Sequence, residues 1–293
     1  MTALVAGCGY VGRRLAELLL ADGEEVWGLR RSPVSDDTPI RWLAADLAEP
    51  LGDALAPIES DTIDLHYLVG ADGFSDEAYH RAYVLGLRHL LERLDGRIRR
   101  LIFASSTAVF HQTDGGWVNE DSPTEPSGFA GRRLLEGEAL AATLPSVVVR
   151  FGGIYGPGRT RLVDKIRAGE GIAPREGTAY RSRMHREDCA RALRHLARLA
   201  SPAPRYLGVD EAPADLREVE AWLCEQLGRD PETLAPPPPS SRGGNKRCDG
   251  ARLRESGFGL DYPTYREGYT ALLRELELAR GGGEVTPPLT GLR

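Results

Sequence analysis

Gly7, Gly9 and Gly12 stand in the stretch TALVAGCGYVG (Thr2–Gly12), where a short apolar run breaks into glycines and continues as the amphipathic VGRRLAELLLADG. A strand, a G-x-G-x-x-G turn and a helix, in that order, suit a backbone that must approach a pyrophosphate. Gly7 permits the tight turn, Gly9 removes the side chain between backbone and ligand, and Gly12 lets the helix pack on the strand. The helix start, with Tyr10 and Val11 in its first turn, offers N–H groups and a positive dipole end to the phosphates of a dinucleotide. About 20 residues further on, an acid would accept from the ribose 2′-hydroxyl of NAD, whereas arginine accommodates the 2′-phosphate of NADP. Here the second apolar run, EVWGL, ends in Arg30, Arg31 and Ser32, with no acid before Asp36. Guanidinium pairs with phosphate through bidentate, charge-assisted hydrogen bonds. This reading favours NADP over NAD; the alternative is two exposed arginines that merely end a strand.

These residues need a scaffold, and the hydrophobic pattern supplies one. Apolar runs at Glu25–Leu29, Arg41–Leu47, Ile63–Val69, Leu101–Ser105, Ser146–Phe151 and Arg205–Val209 follow the first strand. Helical periodicity is expected over Asp76–Leu94 and Arg132–Ala142, and again near Asp188–Leu199 and Ala214–Leu227. Strands that alternate with helices of this length predict an α/β fold: a Rossmann-type, doubly wound parallel sheet with helices on both faces. The expected organisation is a nucleotide-binding domain over residues 1–158, rejoined by 180–210, and a smaller C-terminal substrate lobe from 159–179 and 211–280. Short helices are expected at Leu162–Arg167 and Arg252–Phe258 and a longer one at Tyr265–Leu278. Pro236–Pro239 reads as a stiff linker, and the Gly- and Pro-rich residues 281–293 as a disordered tail.

A net charge of −6 gives no sign of a nucleic-acid-binding surface, and no apolar run reaches the roughly 20 residues that span a bilayer. No basic segment precedes the first strand, so a signal peptide is not expected. Cys8, Cys189, Cys224 and Cys248 are scattered without a C-x-x-C pair, which fits reduced thiols in a cytoplasmic protein and argues against a metal site.

With these residues assembled, the chain resembles the extended or atypical short-chain dehydrogenase/reductases, the NAD(P)-dependent epimerase/dehydratase group, over roughly Ala3 to Leu278. GCGYVG resembles the cofactor loop, and AADL, with Asp46 and Leu47, the segment that contacts adenine. FASSTAVF resembles the strand that ends in a catalytic hydroxyl, which would be Ser106. RFGGIYGPGR resembles the segment lining the cofactor and substrate cleft. In MHREDCARAL the resemblance gives His185 and Asp188 structural roles, and Tyr262–Gly268 resembles the start of a substrate-side helix. It also implies a small-molecule substrate, polar or sugar-nucleotide-like, and a homodimer.

The chemistry of that family needs a tyrosine and a lysine four residues apart on one helix face. The corresponding stretch, PSGFAGRRLLEGE, puts Phe129 and Arg133 there, or Gly128 and Arg132 in a register shifted by one. Phenylalanine has no ionisable proton, and arginine stays protonated. Arg133 could still donate to ribose hydroxyls. Loss of a positioned acid/base group typically costs on the order of 10²–10⁴-fold in rate. The nearest substitutes are Tyr155, in the loop after the sixth strand, and His111, with Ser106 as the oxygen-steadying hydroxyl. Each also has a plainer reading: packing or cofactor lining for Tyr155, an exposed loop position for His111, a strand-end cap for Ser106. Tyr83 stands where the family has a helix asparagine. Two functions follow as expectations. One is an oxidoreductase or epimerase/dehydratase-type enzyme with altered acid/base groups; the other is a non-catalytic NADP(H)-binding sensor or partner-binding protein.

Overall fold

A computed structural model describes residues 1–32, 37–174, 176–237 and 244–281. Asp36, the last two residues of the Pro236–Pro239 run and residues 282–293 of the expected tail lie outside the described residues. Seven strands form one sheet: β1 (Thr2–Ala6), β2 (Glu25–Arg30), β3 (Arg41–Ala44), β4 (Ile63–Tyr67), β5 (Ile98–Ser106), β6 (Ser146–Phe151) and β7 (Arg205–Gly208). Their spatial order is β7-β6-β5-β4-β1-β2-β3, and every neighbouring pair is parallel. The chain therefore has the α/β Rossmann-type fold that its apolar, non-alternating strands demand. A parallel sheet covered on both faces hides both sides of each strand, and all five residues of β1 are buried.

One face carries the helices Tyr10–Ala21 and Arg186–Arg198, packed on Val5, Ile102 and Val149. The other packs Leu87 and Leu90 of the helix Gly86–Arg93 against Leu4, Leu65 and Phe103. A further apolar cluster joins the helices Arg161–Arg167, Leu216–Gln226 and Tyr265–Gly281 through Val163, Val219, Leu223, Tyr269 and Leu272.

Three local differences from the sequence reading bear on function. The apolar runs expected as strands to Leu47 and Val69 leave the sheet at Ala44 and Tyr67. The residues that follow turn out of the ladder at the carboxyl end of the sheet, where open α/β sheets form their crevice. The helix expected from Arg132 begins at Phe129, after Gly128, which supplies no side-chain cap and so left no start signal. The single helix expected over Asp76–Leu94 is interrupted by a π-helical turn, Arg81–Leu85, between Asp76–His80 and Gly86–Arg93. Such turns re-aim side chains and recur at functional sites.

Candidate functional site

A cavity of about 750 Å³ opens over the carboxyl ends of β1, β2 and β4. The switch of direction there, β4 on one side of β1 and β2 on the other, is the place where this sheet type binds ligands. Gly7, Gly9, Tyr10, Val11 and Gly12 form its floor. Gly7 has φ +81°, and a Cβ on it would stand 2.6 Å from the backbone of Leu68. A Cβ on Gly12 would stand 2.6 Å from the Gly7 carbonyl oxygen. At Gly9 the nearest atom to such a Cβ is 3.9 Å away, so what the missing side chain leaves is room for a ligand. No side chain caps the helix Tyr10–Ala21, whose first N–H groups remain available to an anion. These three features fit a dinucleotide's pyrophosphate. Cys8, fully buried within the same loop, is packed into the core.

Arg30, Arg31 and Ser32 line one rim, with Asp46 and Leu47 beside them. Arg31 donates two hydrogen bonds to Asp72, of 2.5 and 2.8 Å, across the exposed mouth. Asp46 Oδ1 accepts from the Ala48 N–H at 2.9 Å, which fixes its turn. Arg81, presented by the π-helical turn, stands 3.6 Å from Asp46 and 3.1 Å from Glu49. At the opposite end the lining comes from Ser106, Phe151, Gly152, Ile154 and Arg159. Arg159 lies 4.2 Å from the centroid of the Tyr10 ring, with Arg186 at 5.2 Å. Burial pushes the Tyr10 phenol up to about 12, and the same cause raises Tyr83, also on the cavity wall, to about 12.

The candidates for chemistry divide. Ser106 lines the cavity, and its Oγ also accepts from the Ala108 N–H at 3.2 Å, capping the short turn Thr107–Val109. Both readings of that serine are thus met in one geometry. Tyr155, expected on the cleft side, is instead 6% exposed in the C-terminal cluster. Its ring stacks 4.5 Å from Tyr269 and its hydroxyl faces Gly268. Desolvation raises its phenol, and it is not among the residues lining the cavity. Arg133, expected at the ribose, donates to Asp76 at 2.8 and 2.9 Å and to Glu136 at 2.9 Å; it does not line the cavity, although Ser75 and Glu77 on either side of Asp76 do. Phe129 packs 4.9 Å from Phe74 and 5.5 Å from Tyr79. His111 is exposed. His185 accepts the Glu187 N–H through Nδ1, and Asp188 accepts those of Asp261 and Tyr262, both at 2.9 Å.

The NAD dependent epimerase/dehydratase family model matches residues 3–206, the greater part of the chain. The chain belongs to that family. A solved structure described as an NAD-dependent epimerase/dehydratase of Methylobacillus flagellatus is 35% identical, with a TM-score of 0.78 over 94% of this chain and 98% of that one. Among characterised relatives, the 4-hydroxy-2-methyl-3-oxo-4-farnesyl-3,4-dihydroquinoline-1-oxide ketoreductase of Stigmatella aurantiaca is 28% identical over 78% of this chain and 73% of its own length. MoeE5, solved with UDP-glucuronic acid and NAD, shares the fold at a TM-score of 0.80 and 23% identity, covering 95% of this chain and 99% of that one. Among the described residues no helix is long and apolar enough to cross a membrane, and no group of side chains could hold a metal ion.

As an epimerase/dehydratase family member the chain has its crevice at the carboxyl ends of β1, β2 and β4. Arg159 closes the segment RFGGIYGPGR that the family resemblance puts at the cleft, whereas sequence reasoning missed Arg81, Asp72 and Tyr83 as lining residues. Arg81 and Tyr83 could not have been found, because their aim depends on a π-helical turn with no composition signal.

Proposed function

We propose that this protein is an NADP(H)-dependent oxidoreductase acting on a carbinol or carbonyl carbon of a polar substrate. The observation that carries the reading is one continuous cavity, lined at one end by Arg30 and Arg31, in the middle by the glycine loop, and at the other by Ser106. Bound there, the nicotinamide would supply or accept hydride. Gly7, Gly9, Tyr10, Val11 and Gly12 would hold the pyrophosphate, Asp46 and Leu47 the adenine, and Arg30 and Arg31 the 2′-phosphate. A guanidinium is suited to that last task by its fixed fork of donors. Ser106 would steady the reacting oxygen, and Arg159, stacked on Tyr10, would place a positive charge beside the phosphates. Tyr155 and Arg133 have no part in this proposal, because neither lines the cavity.

Phe129, buttressed by Phe74 and Tyr79, favours a second reading: binding of NADP(H) without chemistry, by a sensor or partner-binding protein. Turnover separates the two. The enzyme reading expects NADPH to bind more tightly than NADH, and NADPH oxidation with at least one member of a panel of ketones and sugar-nucleotide ketoses. Tight NADPH binding with no turnover of any of them overturns it in favour of the sensor. A Phe129→Tyr, Arg133→Lys double variant that gains reductase activity would mark the pocket as one built for catalysis.

A further inference from the structure

Two charged side chains of the cavity rim come from opposite sides of the switch point. Arg31 follows β2 and Asp72 follows β4, and these strands flank β1, which leads into the glycine loop. Both residues line the cavity. Arg31 Nη1 donates to Asp72 Oδ2 at 2.5 Å and Nη2 to Oδ1 at 2.8 Å, so the end of the guanidinium fork and both carboxylate oxygens are engaged with one another. A second acid on this rim, Asp46, is held differently, by the Ala48 N–H on its Oδ1. Among the described residues Asp72 accepts from Arg31 alone. A Cβ on Gly70 or on Gly73 would meet nothing within 4 Å, so open space flanks Asp72 along the chain.

A fork that holds a carboxylate end-on presents to it the same two N–H groups that it would present to a phosphate. The 2′-phosphate of NADP(H) and the Asp72 carboxylate therefore compete for one edge of Arg31, and their like charges oppose joint occupancy. A ribose that carries a 2′-hydroxyl makes no claim on that edge. The side chains of Arg31 and Asp72 are 59% and 65% exposed, so water and salt screen the pair and its strength is small. A pair of this kind opens to a phosphate without loss of the fold, yet while it is closed that edge of Arg31 is unavailable. The apparent affinity for a ligand falls with the fraction of protein whose site is competent to take it.

We infer that Asp72 tunes the cofactor preference of this protein: by holding Arg31 it lowers the affinity for the 2′-phosphorylated dinucleotide and leaves the affinity for the unphosphorylated one unchanged. The acid that bears on nucleotide selection thus comes from the segment after β4 and not from the end of β2, where the chain has Arg30 and Arg31. Asp72 acts through Arg31, as a positioning residue. The inference rests on the reading of the cavity as an NADP(H) site.

The test titrates the full chain by calorimetry with NADPH and NADH, and with 2′,5′-ADP and 5′-ADP, which carry the adenosine end alone. Asp72→Asn, which keeps the shape and removes the charge, is expected to bind NADPH and 2′,5′-ADP about threefold to fivefold more tightly than wild type, with NADH and 5′-ADP within about twofold. Asp72→Glu retains the carboxylate and should stay within about twofold of wild type for every ligand. Added to Arg31→Ala, Asp72→Asn should change NADPH affinity less than about twofold, since the acid has nothing left to hold. Unchanged NADPH affinity in Asp72→Asn, beside a loss in Arg31→Ala, overturns the inference and leaves the cofactor reading standing. Weaker NADH binding by Asp72→Asn also overturns it, by making Asp72 an acceptor for the 2′-hydroxyl. Wild-type protein that binds neither dinucleotide overturns the cofactor reading, and 2′,5′-ADP against 5′-ADP in wild type and Asp72→Asn then tests the inference by itself; if none of these ligands binds, both fall.

Discussion

Arg150 and Arg183 are both buried arginines, 2% and 4% exposed, on segments that adjoin the same end of the sheet. Arg150 donates to Glu138 through Nε at 3.0 Å and Nη2 at 2.7 Å, and Ser105 Oγ completes the carboxylate at 2.6 Å. Its third nitrogen, Nη1, is unpartnered, but the guanidinium as a whole is neutralised inside the fold and rests 5.1 Å from the centroid of the Phe110 ring. Arg183 has no hydrogen-bonded acid: its charge reaches the buried Asp210 carboxyl, but neither Asp210 oxygen accepts a hydrogen bond. Within one protein, the same side chain at the same depth is in one place locked to an acid by two hydrogen bonds and in the other set near an acid without one. Burial alone therefore does not identify function. The state of the partner does.

The comparison breaks most readily at Arg150. Arg150→Met leaves Glu138 buried without its counter-ion and should cost about 3–5 kcal/mol, read as a shift in the urea midpoint. Arg183→Met breaks no hydrogen-bonded acid pair and should cost less than the Arg150 change in the same assay. Equal losses would erase the distinction.

Arg31 offers a third condition, an exposed arginine paired to an exposed acid. Such a pair contributes little, so Arg31 can be surrendered to a phosphate at small cost. Arg31→Ala should weaken NADPH about tenfold and leave NADH within about twofold, measured by fluorescence titration. Equal weakening of both cofactors would mean that Arg31 does not reach the 2′-phosphate.

Asp210 sharpens the contrast through pH. Its folded value, about 7, lies above the unfolded carboxyl range, so the native state holds an extra proton between roughly pH 4 and 7. Stability should fall as pH rises through that window and level off above it. Asp210→Asn should melt several degrees above wild type at about pH 8 and close to it at about pH 5. A difference that does not change with pH would remove Asp210 as the titrating group. The smallest effect belongs to Arg133. It is ion-paired to Asp76 and Glu136 at the surface, and Arg133→Ala should change turnover or NADPH affinity less than about twofold.

The cofactor end of the site was legible in the chain because it is local. Gly7, Gly9 and Gly12 act through backbone conformation and close approach within one strand–turn–helix unit, and Arg30 and Arg31 follow at the end of the next strand. The parallel sheet was legible for a similar reason, since apolar strands separated by helical periods have few other ways to be buried. Boundaries were less so. The chain leaves β3 at Ala44 and β4 at Tyr67 although the apolar runs continue, and Gly128 gave no capping signal for the helix that follows it.

The far end of the site was not legible, because it depends on which side chains meet across distant segments. Tyr155 and Arg133 read as chemistry by type and position, yet one stacks on Tyr269, the other pairs with Asp76, and neither lines the cavity. Arg183 and Lys246 read as two more cations in an arginine-rich lobe until packing buried them without a hydrogen-bonded acid. The sequence by itself determined the sheet and the glycine cradle, both properties of residue type and short-range spacing. Only the tertiary structure decided which charges are neutralised, since desolvation and pairing are set by neighbours that the chain order does not reveal.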